Sequence, residues 1–137
     1  MYPDAPAAAA SLFNRLESNW LTTTIRVAGN SGPLPNETDW ASVTRQSGSS
    51  DNIVEHTSVT KAVRRVGRFD SEVVRRAILV NRPTAIVLNH LDYISAAPRS
   101  EMDLDPRCSA FIATVERSIC ARITHLGFGP ASLAMRK

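Results

Sequence analysis

Hydrophobic and polar residues follow a helical period and then a continuous apolar run between residues 70 and 91. Apolar side chains recur at helical spacing across 73–78, and Asp70 before them is a good residue for a helix N-cap. Because Pro83 disfavours helical geometry in the residue before it, this helix is expected to end near Asn81. The next stretch, TAIVLNHL (84–91), shows no alternation, which is typical of a strand buried on both faces.

A second helix–strand pair follows closer to the C-terminus. Asp105 is predicted to cap this helix, Pro106 to start it, and the helix to run to about Ala121. RITHL (122–126) reads as a second short strand, followed by a GFGP turn and a last basic turn, ASLAMRK (131–137). Two successive helix–strand pairs predict an α/β fold, a partial parallel sheet with flanking helices. The core-facing stripe of this helix is expected to comprise Cys108, Phe111, Ile112, Val115 and Ile119.

The first third of the chain has a weaker pattern. A helix is predicted over 7–17, a β-branched strand over LTTTIRV (21–27), and a short helix capped by Asp39 that ends near Gly48. Gly, Pro, Asn and Ser crowd AGNSGPLPNETDW (28–40), which predicts a loop that is either a surface connection or a ligand contact. No repeat or domain boundary is evident, so residues 1–137 are predicted to form a single domain.

Composition narrows the class of protein. No apolar run approaches the roughly 20 residues of a membrane helix, and the Ala-rich start lacks a basic segment, so a soluble, cytoplasmic protein with no membrane partner is expected. The net charge is +3 with a pI of about 9.3. The basic cluster of residues 61–68 has no interleaved aromatics to stack bases, so a bound nucleotide explains it better than nucleic acid does.

The two cysteines, Cys108 and Cys120, fall in the same predicted helix. Twelve helical residues span about 18 Å, which is too far for a disulfide. We therefore expect reduced, buried thiols, and no Cys/His spacing matches a zinc site.

Two segments carry candidate chemistry. The loop TKAVRRVGR (60–68) places several cations before the Asp70 helix, and guanidinium groups suit phosphates and carboxylates, although a solvated basic loop explains it equally. LNHLD (88–92) ends the buried strand, where α/β proteins bind ligands. The Asp92 carboxylate could accept hydrogen bonds from the N1–H and exocyclic amino group of guanine, which adenine cannot supply, or it could cap a turn. His90 is as readily explained by packing.

Several motifs are missing from the sequence. It contains no GxxxxGK followed by Ser or Thr, no GxGxxG, no Ser/His/Asp order and no metal-ligand cluster. A chain that binds a nucleotide without these elements would supply only part of a site.

Three segments in the same order resemble the C-terminal part of the adenylosuccinate synthetase family, which joins IMP and aspartate using GTP in purine synthesis. IRVAGNSGPLPNE (25–37) is similar to a Gly/Pro segment of that family. Residues 57–70 and 72–95 are similar to its arginine loop, the following helix and its Thr-Lys-Leu-Asp strand end. FIATVERSICARITHLGFGP (111–130) is similar to its closing helix, strand and Ser-x-Gly-Pro turn.

The resemblance implies roles for particular residues. Thr60 and Arg64 would belong to the aspartate-binding loop, with Arg64 also contacting GTP. Asp92 would recognise guanine, with His90 at the position of the family's lysine. The turn that lines the guanine pocket would comprise Gly127, Phe128 and Gly129.

The chain also departs from the family pattern. Lys61 and Ala62 stand where the family has Gly-Arg, and Arg68 replaces its Trp. The N-terminal part, with the phosphate loop, the catalytic groups and the Mg²⁺ ligands, has no counterpart here. The prediction is therefore a truncated synthetase with no catalytic residue of its own, inactive alone, which uses GTP, IMP and aspartate only in a complete enzyme and could pair with itself or a partner subunit. The alternatives are a non-catalytic module that binds a guanine nucleotide or a partner, and a degenerate remnant that self-associates through exposed strand edges.

Overall fold

The computed structural model describes residues 20–23, 26–28, 34, 36–97, 103–129 and 132–136, which form two sheets and three helices. The larger sheet comprises β1 (Trp20–Thr23), β5 (Ala85–Leu88), β6 (His125–Gly129) and β7 (Ser132–Met135) in that spatial order. The smaller sheet comprises β2 (Arg26–Ala28), β4 (Arg65–Gly67) and β3 (Glu37–Thr38) in that order. The helices are α1 (Trp40–Ser47), α2 (Ser71–Asn81) and α3 (Pro106–Ile119).

The larger sheet confirms the predicted α/β class. β5 pairs in parallel with β1 on one side and with β6 on the other, in a register that places Leu88 opposite Leu126. All four residues of β5 are buried, as the unbroken apolar run predicted. β7 runs antiparallel to β6, so the prediction of a terminal basic turn over ASLAMRK was wrong.

Side-chain caps fix where the helices begin. The carboxylate of Asp70 accepts hydrogen bonds from the amides of Glu72 and Val73, and that of Asp105 accepts from Arg107 N–H. Asp39 caps α1 in the same way. These three predicted N-caps are confirmed.

Left-handed residues end all three helices. Arg82 follows α2 with φ of 45°, and Cys120 follows α3 with φ of 54°. Gly48 follows α1 with φ of 74°, the conformation that glycine adopts most readily. The predicted end of α2 is confirmed, and α3 stops two residues before the predicted Ala121.

The main core lies between the larger sheet and the pair α2 and α3. Its buried members from the helices and strands include Val74, Cys108, Ile112, Val115, Leu88 and Leu126. Cys108 is fully buried but Cys120 is exposed, so the expectation of two buried thiols was wrong for Cys120. Both thiols are free, as expected.

The smaller sheet overturns two sequence-based predictions. The predicted basic loop contains β4, whose Val66 is only 1% exposed between β2 and β3. The single strand predicted over 21–27 is divided instead between β1 and β2, which belong to different sheets. Strands of three residues are too short to show a reliable alternation, and their pairing partners determine them.

The predicted GFGP turn is also wrong, because Gly127, Phe128 and Gly129 form the end of β6. The register of pairing between β6 and β7 shifts between Gly127 and Gly129. The two strands stay paired on both sides of this irregularity. The predicted helix over 7–17 lies outside the described residues, as do residues 29–33 and 35 of the predicted loop. Residues 37–38 of that loop form β3, so the prediction was wrong there. Within the described ranges, no helix has both the length and the apolar character needed to cross a bilayer.

Candidate functional site

The carboxyl ends of β5 and β6 lie side by side and approach closely. A Cβ atom added to Gly127 would lie 2.4 Å from Asn89 Oδ1 and 3.2 Å from Asn89 Cα. Only glycine fits at this point without a shift of the neighbouring chain. The first residue after β5 is therefore held directly against the end of β6, at the edge where parallel sheets bind ligands.

A tight turn brings the next two candidate residues to this edge. His90 adopts a left-handed conformation with φ of 60°, and a 3₁₀ turn follows at Leu91–Tyr93. Leu91 is fully buried and Tyr93 is 7% exposed, and these two side chains anchor the turn. Asp92 lies between them and stays partly exposed, in the turn after the strand and not on the strand itself.

His90 and Asp92 interact electrostatically. His90 Nδ1 lies 3.3 Å from Asp92 Oδ1, although the two atoms are not well aligned as a hydrogen bond. A hydrogen-bonding interaction with the Asp92 carboxylate is the main cause that raises the pKa of His90, partial burial opposes it, and the charges of Asp92 and Glu55 add to it. The imidazole therefore gains a proton more readily than a free histidine.

Aromatic side chains pack behind this turn. The Tyr93 ring stacks on the His90 ring with 4.6 Å between centroids. It also meets the Trp40 ring edge to face, with 5.8 Å between centroids. The Tyr93 hydroxyl donates a hydrogen bond of 2.5 Å to Glu55 Oε1. Burial raises the pKa of Tyr93 far above its usual range, and the bond to Glu55 raises it further, so the phenol stays protonated.

Residues 55–64 form a hairpin beside the turn, which we call hairpin 55–64. The Arg64 amide donates to Glu55 O at 2.9 Å, and the Thr57 amide donates to Ala62 O at 2.8 Å. The Trp40 indole donates to Arg64 O at 2.6 Å. The charge of Arg64 partly opposes the rise in the pKa of Tyr93, as expected for a cation on the same side of the molecule.

The tip of hairpin 55–64 carries Thr60. Its hydroxyl is 2.6 Å from Thr57 Oγ1 and exposed, so within the described chain it bonds to the hairpin and not to another candidate residue. Lys61 follows with φ of 56°, a left-handed conformation that favours glycine. Lys61 stands where the family that the sequence resembles has a glycine.

Three candidate side chains hold a buried polar atom without a hydrogen-bond partner in the described structure. These atoms are Arg64 Nε, His90 Nδ1 and Asp92 Oδ1, of which the last two lie 3.3 Å apart and interact electrostatically with each other. An unpaired buried polar atom costs roughly 1 to 3 kcal/mol, so native proteins pair most of them. Arg64 Nε is therefore the one of these three atoms that a polar ligand would complete.

The remaining predicted residues lie at the end of β6. Phe128 is half-buried against the main core, and a Cβ added to Gly129 would meet no atom within 4 Å. The sequence interpretation placed Asn89 at this strand end but missed Glu55, Tyr93 and Trp40 as parts of this region. From the sequence, only Tyr93 could have been assigned to this region, because it is next to Asp92. The contact between Glu55 and Arg64 forms only when the hairpin folds.

Comparisons with known proteins point to one family. No family model matches the chain. It is 30% identical over 102 residues to the adenylosuccinate synthetase of Methanococcus maripaludis, a match that covers 72% of this chain and 29% of that protein. It is also 32% identical over 109 residues to the N6-succino-2-amino-2'-deoxyadenylate synthase of Vibrio phage phiVC8, covering 77% of this chain and 29% of the phage protein.

The chain is related to the adenylosuccinate synthetase family.

A solved structure supports this relationship. The succinoaminodeoxyadenylate synthetase of cyanophage S-2L superposes with a TM-score of 0.55 at 26% identity, over 82% of this chain and 31% of that one. It was solved bound to dGMP and to dATP, the latter as its energy donor. The chain thus spans about 30% of the length of these adenylosuccinate synthetase relatives.

Proposed function

We propose that this chain supplies the guanine pocket and part of the aspartate loop of an adenylosuccinate synthetase-like ligase of purine (AMP) synthesis. In the complete enzyme, GTP would drive the joining of IMP and aspartate. The observation that carries the proposal is the buried Arg64 Nε, which has no hydrogen-bond partner in the described structure, on the hairpin next to the turn that holds the partly exposed Asp92, in a chain related to this family. A cytoplasmic single domain over 1–137 is part of the same proposal.

Asp92 is the proposed base-reading residue. Its Oδ1 faces His90 Nδ1 at 3.3 Å, while the side chain as a whole is 35% exposed and can be reached by a ligand. Guanine offers an N1–H and an exocyclic amino group on one edge, and one carboxylate can accept from both. The ends of β5 and β6, with Gly127, Phe128 and Gly129, would line the same pocket.

Arg64 and Thr60 are the proposed groups for the phosphates and for the carboxylates of aspartate. Arg64 Nε is buried without a hydrogen-bond partner, and a guanidinium can form two parallel bonds to a phosphate or a carboxylate. Thr60 lies on the same hairpin with its hydroxyl exposed. Hairpin 55–64 would therefore bind the anionic parts of the substrates, and the turn with Asp92 would bind the base.

We assign no catalytic residue to this chain and infer that it is inactive alone. In the described ranges, no three His, Cys, Asp or Glu side chains are grouped to hold a metal ion. The described residues therefore do not fit the Mg²⁺ that the family implies, and no step of the proposal uses it. Incubation with GTP, Mg²⁺, IMP and aspartate should yield no adenylosuccinate; product formation would overturn this inference.

Calorimetric titration with GTP, GDP, ATP and dATP tests the proposed pocket. We expect the guanine nucleotides to bind more tightly than the adenine nucleotides. Asp92→Asn replaces one acceptor by a donor and should weaken guanine binding about tenfold or more, with relaxed selectivity. Asp51→Asn, at an exposed loop carboxylate, is the matched control. An unchanged preference in Asp92→Asn would remove Asp92 from the site, and a preference for dATP would assign the site to the energy donor named for the cyanophage relative.

The second candidate is a non-catalytic module that binds a guanine nucleotide or a partner subunit. Leu79 and Val80 on the outer face of α2 are 75% and 71% exposed, which favours a surface that a second copy or a partner subunit covers. A mass measured by light scattering that rises with concentration would support a homodimer. A monomer mass that stays constant with concentration, and that Leu79→Ser and Val80→Ser do not change, would rule out the homodimer. Only the nucleotide-binding role of the module would then remain.

A further inference from the structure

A closed series of contacts joins the hairpin that carries Arg64 to the turn that carries Asp92. Tyr93 O–H donates to the Glu55 side chain at 2.5 Å, and the Arg64 amide donates to Glu55 O at 2.9 Å. The Trp40 indole donates to Arg64 O at 2.6 Å, and the Trp40 and Tyr93 rings meet edge to face. We call these four residues, Trp40, Glu55, Arg64 and Tyr93, the Trp40–Tyr93 bridge.

The bridge is built to be rigid. Trp40 and Tyr93 are each only 7% exposed and belong to the smaller core cluster with Val43 and Val66. Both backbone groups of Arg64 are hydrogen-bonded within the bridge, one to Glu55 and one to Trp40. Buried side chains in fixed rotamers transmit a displacement and do not absorb it. The bridge therefore sets the distance between the backbone of Arg64 and the 3₁₀ turn.

Glu55 gives the bridge an electrostatic role as well as a geometric one. Its carboxylate accepts the Tyr93 hydroxyl, and its charge is also among the causes that raise the pKa of His90. His90 in turn contacts Asp92 at 3.3 Å. A buried phenol needs only one hydrogen-bond acceptor, and a backbone carbonyl would serve for packing alone. The use of a hairpin carboxylate makes the turn depend on the hairpin.

We propose that Tyr93 is a positioning residue that couples the turn of Asp92 to the hairpin of Arg64. Tyr93 does not contact the nucleotide, and it acts through its hydrogen bond to Glu55. A purine nucleotide that is held by Asp92 at its base and by Arg64 at its phosphates then needs both groups at one fixed separation. This inference rests on the proposed function, because it assigns those two contacts to one ligand.

The central variant is Tyr93→Phe, which keeps the ring against Trp40 and His90 and removes only the hydroxyl. We expect it to weaken GTP binding about fivefold while guanosine binding changes less than about twofold, since loss of one hydrogen bond misplaces Arg64 but leaves Asp92 in its turn. Arg64→Gln should weaken GTP binding in the wild-type chain and add little in the Tyr93→Phe chain. Additive effects, or equal losses for GTP and guanosine, would overturn the proposal.

Two further variants separate positioning from loss of stability. Glu55→Gln retains an oxygen that can accept the Tyr93 hydroxyl, so it should keep GTP affinity closer to wild type than Tyr93→Phe does. Thr44→Val removes the bonds of Thr44 Oγ1 to the Ile53 amide at 2.9 Å and to Trp40 O at 2.8 Å, so it loosens the same layer while the contacts among the four bridge residues stay in place. It should leave the ratio of GTP to guanosine affinity unchanged. A shift of that ratio by Thr44→Val would show a general packing effect and refute the role of Tyr93.

Hydrogen exchange tests the coupling without any nucleotide. A wild-type chain that binds no guanine nucleotide would refute the proposed function, but the coupling would still be tested by exchange. The amides of Arg64 and Thr57 are bonded across the hairpin and report its position. In Tyr93→Phe they should exchange about fivefold faster, while the Val74 amide in α2 keeps its rate. Unchanged hairpin exchange would refute the coupling on its own.

Discussion

The histidine beside Asp92 makes the site sensitive to pH at the scale of one residue. The pKa of His90 is raised in the folded chain, mainly by hydrogen bonding with Asp92. A raised folded pKa stabilises the fold fully below the ordinary histidine pKa of about 6.5, and this stabilisation is lost as the pH rises through the folded pKa. The family lysine that the resemblance places at this position would carry its charge throughout this range.

We therefore predict that His90→Gln lowers the free energy of unfolding by a few tenths to about 1 kcal/mol below pH 6 and by less at pH 8. Urea unfolding of both chains between pH 5 and 8.5 measures the difference. His56→Gln, at an exposed histidine of hairpin 55–64, controls for loss of an imidazole as such. A difference between wild type and His90→Gln that stays constant across this range would contradict the assigned cause.

At the scale of elements, the fit between β5 and β6 depends on Gly127. Gly127→Ala places a Cβ 3.2 Å from the Asn89 backbone and 2.4 Å from its amide oxygen, so the strands must separate slightly. The expected cost is about 1 to 3 kcal/mol of unfolding free energy, measured by urea midpoint. Gly129→Ala is the matched control, since no atom lies within 4 Å of its added Cβ. Equal effects of the two variants would contradict the close approach.

The elements also show which structure a sequence can reveal. The helices with Asp caps and the buried strand β5 were predictable, because their signals lie within their own residues. β4 and β7 were missed, because short strands are decided by partners far away in the chain. The same holds for the site: Arg64 and Asp92 stand out by residue type and by resemblance, but the pairing of Glu55 with Tyr93 appears only after the hairpin folds.

At the scale of the whole molecule, Arg107 fastens the first turn of α3 to the end of α1. Its guanidinium donates to Gln46 O and Ser47 O, each at 2.8 Å, and to Ser95 Oγ at 3.2 Å. The backbone oxygens belong to the last turn of α1, which packs in the smaller cluster, whereas α3 packs in the main core. Arg107 thus holds the two clusters, and with them the two halves of the candidate site, in one arrangement.

Arg107→Ala should therefore lower the free energy of unfolding by about 1 to 3 kcal/mol, because it leaves helix-end carbonyls without a donor. Arg75→Ala is the control, since Arg75 is similarly exposed but makes only a surface ion pair with Glu72. That variant should cost less than about 0.5 kcal/mol. Loss of stability in Arg75→Ala as large as in Arg107→Ala would contradict the role of Arg107 between the clusters.

The parallel pairing of β1 with β5 has a consequence for the order in which the chain folds. Trp20 pairs with Ala85, across the whole of the smaller sheet, α1 and α2 in the sequence. Within the units α2–β5 and α3–β6–β7, in contrast, the elements follow one another directly in the chain, and short loops join them. Because long loops close more slowly and at greater entropic cost, the C-terminal unit should form first and β1 should dock last. Pulse-labelled hydrogen exchange during refolding should then show protection at the Leu88 amide before the Thr23 amide.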